Sequence, residues 1–199
     1  MAADAHAAHP PTATGLDTWK LGFWTFLGSE TLFFGSFIAT YMIYAGRNVE
    51  GPLPHEVLDI PLTTISTFVL LMSSLAMVLA LNAVQRGSRK GSLIWLMVTA
   101  LMGLLFLGFQ AYEFTHFYHV GLTLSTNLFG SSFFILTGFH GAHVSIGVIW
   151  LLILWFQTHA GRIGPSDALK VEIAGLYWHF VDIVWIVIFT LIYLLQEPG

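Results

Sequence analysis

The chain has 199 residues, of which 56% are hydrophobic and 9% are charged, and its formal net charge is −4 with the histidines neutral. Soluble domains carry roughly a quarter of charged residues, so this composition excludes an ordinary water-facing surface and predicts an integral membrane protein. The chain contains no cysteine, which excludes disulfides and thiolate metal sites, and its few scattered basic residues argue against a nucleic-acid partner.

Residues 1–18 form a polar segment of small residues with two histidines, His6 and His9, and two prolines. The segment lacks the basic start and the apolar core of a signal peptide. We therefore expect a mobile cytoplasmic tail at 1–18, followed by a single transmembrane helical domain at 19–199.

Five apolar segments of the remaining chain are long enough to cross a bilayer, whose hydrocarbon core of ~30 Å requires about 20 residues of helix. The predicted helices are 19–45, 62–84, 92–114, 128–156 and 172–196. Asn127 is placed to cap the fourth helix, and Ser166 or Asp167 to start the fifth. The predicted fold class is therefore all-α, a polytopic membrane protein with five transmembrane helices and no convincing internal repeat.

The basic residues give these five helices an orientation. Six of the seven fall on one side of the membrane, and Arg47 alone falls on the other. The six are Lys20, Arg86, Arg89, Lys90, Arg162 and Lys170. Because cytoplasmic loops carry the excess of lysine and arginine, we expect the N-terminus in the cytoplasm and the C-terminus outside.

A small set of ionisable residues lies within the predicted helices, where each costs about 2.5–3.5 kcal/mol at the bilayer centre unless it is paired or faces inward. The set is Glu30, Glu113, His140, His143, His179 and Asp182. Helical spacing places His140 with His143, and His179 with Asp182, on shared faces. We expect a buried polar cluster in which Asp182 bonds an imidazole. Structural hydrogen bonding, a proton-linked role and lipid contact are the alternatives for its members.

Small residues along the fourth helix favour the close approach of a second helix. The candidates for this interface are Gly138, Gly141 and Gly147.

Two H-x-x-H pairs, at 116–119 and 140–143, raise the question of a metal site. The stretch 113–116 also reads E-x-x-H, a pattern used by di-iron helix bundles. A carboxylate di-iron site needs two such motifs and further glutamates, whereas this chain has one. A histidine-box oxygenase uses more histidines than remain outside the tail. We therefore expect no metal ligand and no catalytic residue in this chain.

Four motifs resemble subunit III of haem-copper terminal oxidases, in the short five-helix bacterial form that cytochrome c oxidases and quinol oxidases share. They are "LGFWTFLGSETLFFGSFIATY" (21–41), "YEF" (112–114) with the preceding Gln110, "GSSFFILTGFHGAHVSIG" (130–147) and "YWHFVDIVWIVIFTLIYL" (177–194). The similarity covers about residues 19 to 195. The longer form of the family has two additional N-terminal helices, which form one arm of a lipid-filled cleft.

The resemblance implies a multi-pass protein of the bacterial plasma membrane that carries no cofactor itself. Haem and copper then belong to catalytic subunit I and to subunit II, and the chain stabilises subunit I and supports proton uptake and oxygen access. Glu30 occupies the family's membrane-embedded carboxylate, which favours the cytochrome c type over the quinol type. Bound phospholipid is a further expected ligand, and a respiratory supercomplex a further candidate assembly.

Two other functions compete with this interpretation. The H-x-x-H pairs suggest an independent histidine-box or di-iron membrane oxygenase, which would contain about two metal atoms in each purified chain. Glu30 and Asp182 near the midplane suggest a small proton or solute carrier, which would transport its substrate when reconstituted alone.

Overall fold

A computed structural model of the chain describes residues 17–45 and 58–195. Within these ranges the protein is helical, and five helices are long and apolar enough to cross a membrane. They are α1 (Thr18–Tyr44), α2 (Ile60–Gln85), α3 (Arg89–His119), α4 (Leu128–His159) and α5 (Ala168–Phe189). A 3-10 turn at Pro165–Asp167 precedes α5, and a π-helical turn at Thr190–Leu194 continues it. The predicted fold class of five transmembrane helices is confirmed.

Side-chain caps fix where several of these helices begin. The Asn127 side chain accepts a hydrogen bond from Gly130 N at 2.7 Å at the start of α4, as the sequence predicts. Asp17 accepts in the same way from Trp19 N at 2.9 Å. This cap starts α1 at Thr18, inside the segment expected to be a tail, and residues 1–16 of that segment lie outside the described residues.

Helix α3 continues to His119, five residues beyond its expected end at 114. The stretch after Glu113 is polar and aromatic, but it contains no glycine or proline before Gly121. Gly121 adopts a φ of 87°, and Leu122 N bonds back to Phe117 O at 2.9 Å. The helix therefore ends next to a glycine in the left-handed backbone conformation. It does not end where the sequence first becomes polar.

Helices α2 to α5 form a four-helix core, and α1 packs outside it against α4 and α5. Trp178 of α5 lies at the centre of this core and is 1% exposed. Its indole Nε1 donates to Ser73 Oγ of α2 at 2.9 Å, and its ring lies against Gly103 of α3 and Gly147 of α4. One side chain thus contacts the other three helices of the core.

Contacts between helix ends bring the basic residues to one end of the bundle. Lys20 at the start of α1 forms an ion pair with Glu172 near the start of α5. Arg89 at the start of α3 donates to the carbonyl oxygens of Thr158 and His159 at the end of α4. This arrangement agrees with the predicted five-helix topology, in which six of the seven basic residues lie on one side of the membrane. Arg47 lies outside the described residues, and the orientation of the termini stays a prediction.

Candidate functional site

Glu30 of α1 and His143 of α4 form a polar pair between these two helices. Glu30 Oε2 lies 3.2 Å from His143 Nε2, and the two side chains are 18% and 14% exposed. His143 Nδ1 lies 2.7 Å from the carbonyl oxygen of Phe139. Since a carbonyl oxygen only accepts, Nδ1 carries a hydrogen. The pair is then either a neutral imidazole that accepts from a protonated carboxyl group, or an imidazolium bonded to a carboxylate.

A hydrogen bond from α5 reaches the same place. The Tyr177 hydroxyl donates to the His143 carbonyl oxygen at 3.0 Å, and Phe34 of α1 covers the imidazole with a ring-centroid distance of 4.9 Å. Three helices therefore surround this pair.

His140 lies in a different environment although it is only three residues from His143. Its side chain is fully buried, stacked on Trp185 at 4.9 Å and in edge contact with Phe106 at 5.8 Å. Neither ring nitrogen has a hydrogen-bond partner in the part of the chain that is described. Three residues turn a helix by about 300°, and that offset places one imidazole inside the core and the other beside α1.

Asp182 is buried among the core helices, and the structure differs there from the expected carboxylate–imidazole pair. Neither carboxyl oxygen has a hydrogen-bond partner of standard geometry within residues 17–45 and 58–195, although the Ser74 hydroxyl approaches Asp182. The neighbouring His179 bonds Ser74 instead, with its Nδ1 at 2.6 Å from Ser74 Oγ. The ionisable residues near the midplane thus form separate contacts, and the expected single cluster is not formed.

Glu113 joins three helices near the end of the bundle opposite the basic residues. Its Oε1 lies 3.0 Å from Thr63 Oγ1 of α2, and its Oε2 accepts from the Tyr193 hydroxyl at 3.0 Å. Tyr193 belongs to the π-helical turn and is 1% exposed. The carboxyl group therefore connects the start of α2 to the last turn after α5.

The expected small-residue interface of α4 divides into two kinds of position. A Cβ added to Gly141 would lie 2.6 Å from Gln110 Oε1, and one added to Gly147 would lie 2.8 Å from a ring carbon of Trp178. Gly138 differs from the expectation, because a Cβ added there would have no neighbour within 4 Å. Sequence reasoning missed Gly103 of α3, where an added Cβ would lie 2.5 Å from the other edge of Trp178.

Sequence reasoning also missed the two tryptophans that connect α5 to α2. Trp185 Nε1 donates to Thr67 Oγ1 at 2.9 Å, one heptad beyond the bond from Trp178 to Ser73. The sequence contains a pattern that could have indicated these bonds. Trp178 and Trp185 share a helix face with Asp182, and α2 is rich in serine and threonine. Among the described residues, no group of three or more His, Asp or Glu side chains is positioned to hold a metal ion.

Comparison with known proteins places this bundle in a family. The sequence profile of cytochrome c oxidase subunit III matches residues 2–197. The chain belongs to the cytochrome c oxidase subunit III family. It is 43% identical over 179 residues to the quinol oxidase subunit 3 of Bacillus subtilis (strain 168), covering 90% of this chain and 88% of that one.

Relatives named for the other electron donor are equally similar. The chain is 42% identical over 196 residues to the cytochrome c oxidase subunit 3 of Alkalihalophilus pseudofirmus, covering 96% of this chain and 94% of the relative. It is 39% identical over 179 residues to the cytochrome c oxidase subunit 3 of Bacillus sp. (strain PS3), covering 90% and 86%. The predicted family is confirmed.

Proposed function

We propose that this chain is a non-catalytic subunit of a proton-pumping terminal oxidase that reduces oxygen to water. The observation that carries the proposal is the match to the subunit III family over residues 2–197. The redox chemistry then belongs to the haem and copper of subunits I and II, and this chain binds and stabilises subunit I. The many large apolar side chains on its surface suit a protein surrounded by lipid and by other membrane subunits.

The pair of Glu30 and His143 supports a role in proton uptake. The two groups can exchange one proton along the 3.2 Å contact between Oε2 and Nε2, and both side chains retain some exposure at the edge of the bundle. A proton held there lies within the membrane-spanning part of the chain, where few other groups can hold one. We infer that this pair, and not the fully buried His140, is the proton-linked site of the chain.

A groove at the basic end of the bundle is our candidate for bound phospholipid. It has a volume of about 620 Å³ and lies between the starts of α1 and α5 and the end of α4. Apolar side chains such as Trp19, Trp150 and Ile153 line it, with Gln157 and Lys170 beside them. An acyl chain fits the apolar lining, and a cationic side chain suits an anionic headgroup.

The same end of the bundle carries six of the seven basic residues. Under the positive-inside rule we expect this end to face the cytoplasm, with the N-terminus inside and the C-terminus outside a bacterial plasma membrane. Reaction of single engineered cysteines with a membrane-impermeant thiol reagent tests this orientation, since the chain has no cysteine of its own.

Purification of the tagged chain in mild detergent, followed by optical spectroscopy, tests the proposed function. We expect reduced-minus-oxidised haem bands and a co-eluting large subunit that consumes oxygen. A folded chain that elutes alone without haem would overturn the proposal, and metal analysis of that sample would test the oxygenase alternative.

Two donors remain candidates because relatives of both kinds are similarly close. We favour cytochrome c on the basis of Glu30, and a quinol oxidase is the second candidate. Oxygen consumption by the purified complex with reduced cytochrome c or with a quinol as donor decides between them.

A further inference from the structure

His179 differs from the other two imidazoles near the middle of the membrane-spanning helices. His140 is fully buried, and both ring nitrogens of His143 have partners within the chain. His179 is only partly buried, and one of its nitrogens, Nδ1, is bonded to Ser74. Its Nε2 has no hydrogen-bond partner among the described residues and is not enclosed by them. A hydrogen-bonding atom is therefore available on the outer face of α5.

This atom lies at a depth where lipid cannot supply a partner. His179 is the fifteenth of the 30 residues in the span Pro165–Leu194, which places it about 22 Å from either end at a rise of ~1.5 Å per residue. Acyl chains at the bilayer centre carry no donor or acceptor. A partly exposed imidazole is therefore expected to face protein or water there.

Ser74 supports the same conclusion from the facing helix. The other hydroxyl groups of α2 donate to backbone carbonyl oxygens three or four residues earlier, as Thr64 does to Ile60 O and Ser73 to Leu70 O. The Ser74 hydroxyl instead bonds the imidazole and also approaches the Asp182 carboxyl group. The chain thus holds the His179 ring at the boundary between α2 and α5 by its Nδ1 and leaves Nε2 without a partner among the described residues.

The surface around His179 is exposed and apolar. Helices α1 and α2 both pack against α5, and between them α5 presents Ile183, Ile186 and Val187, which are 59%, 42% and 39% exposed. A transmembrane helix lying along this ridge would cover the three apolar side chains and bring one polar side chain opposite Nε2.

We propose that a transmembrane helix of another oxidase subunit docks on the outer face of α5 and hydrogen-bonds His179 Nε2 through a polar side chain. This inference rests on the proposed function, because it assumes that the chain is part of an oxidase. The outer face of α3 differs from this α5 face, because its exposed side chains Leu101, Leu104 and Leu105 form an apolar surface suited to lipid.

Site-specific photocrosslinking in the intact complex tests the proposal. A photoreactive amino acid is placed at Ile183 in one variant and at Leu105 in another, two positions that are 59% and 51% exposed. Both samples are irradiated in native membranes, and the adducts are identified by mass spectrometry. We expect a covalent product with another oxidase subunit from position 183, and lipid adducts alone from position 105.

Other products from position 183 would overturn the inference. Lipid adducts alone, a dimer of this chain or a link within the chain would each show that no partner helix occupies the α5 face. If haem and a large subunit still copurify in that case, the proposed function stands while the inference fails. If nothing copurifies, the proposed function fails as well.

A substitution measures the hydrogen bond itself. His179→Leu is expected to weaken retention of the partner subunit in a detergent titration by roughly three- to tenfold, the effect of one hydrogen bond inside a membrane. Leu105→Ala is the matched control and is expected to have no effect. Equal retention of the partner by both variants would exclude a hydrogen bond at His179.

Discussion

The packing of Trp178 between two glycines makes Gly147→Ala the most informative substitution in the core. The new methyl group would lie 2.8 Å and 2.9 Å from two ring carbons of Trp178 and 3.2 Å from a ring carbon of Tyr177. Carbon atoms in contact normally lie about 3.5–4.0 Å apart. The indole cannot move aside easily, because Ser73 holds its Nε1 and Gly103 lies against its other edge.

Forced overpacking of this kind costs about 1–3 kcal/mol. Alanine also has a higher helix propensity than glycine, by up to about 1 kcal/mol, which would hide part of that cost. Gly138→Ala in the same helix gains the same propensity but adds a methyl group where no atom lies within 4 Å. The difference between the two variants therefore isolates the packing cost of about 1–3 kcal/mol.

Thermal unfolding of the purified complex, followed for this subunit, measures that difference. For a chain of this size, each kcal/mol corresponds to about 2–4 °C in the midpoint of unfolding. We expect Gly138→Ala to unfold at or slightly above the wild-type temperature and Gly147→Ala several degrees below it. If Gly147→Ala unfolded at the same temperature as Gly138→Ala, the close contact with Trp178 would be refuted.

Three other predictions test the polar contacts. Glu113→Leu should lower the midpoint of unfolding more than Glu113→Gln, because leucine leaves the buried Tyr193 hydroxyl without its partner, at about 1–3 kcal/mol. The Thr63 hydroxyl keeps its bond to the Asp59 carbonyl oxygen in either variant. Equal midpoints would contradict the bridge. Arg89→Ala should speed hydrogen exchange in the last turn of α4 relative to Lys90→Ala, since only Arg89 bonds that helix end, an interaction of about 0.3–1 kcal/mol. Glu30→Gln should keep the wild-type yield of complex, because an amide can still bond the imidazole, whereas His143→Leu should lower it. Equal losses in the last pair would mean that the charge of the carboxylate, and not its hydrogen bond, matters.

The sequence by itself determined the number of helices and their approximate limits. Hydrophobic length is a property of consecutive residues, and a bilayer of fixed thickness converts it directly into a span. The cap at Asn127 could be predicted for the same reason, because a capping side chain acts on backbone only two or three residues away. The extension of α3 to His119 was missed because polarity weakens a membrane prediction without breaking a helix.

The tertiary structure alone decided which polar residues meet. The sequence identified Glu30, His140, His143, His179 and Asp182 as costly in a membrane, since burial cost depends on residue type and depth. Their partners depend on the rotation of each helix about its axis and on which helix lies beside it. A turn of about 100° per residue put His143 beside Glu30, enclosed His140 in aromatic rings, and joined His179 to Ser74 in place of a carboxylate. These rotations are set by the packing of large side chains such as Trp178 into gaps left by glycines on other helices, which no local pattern encodes.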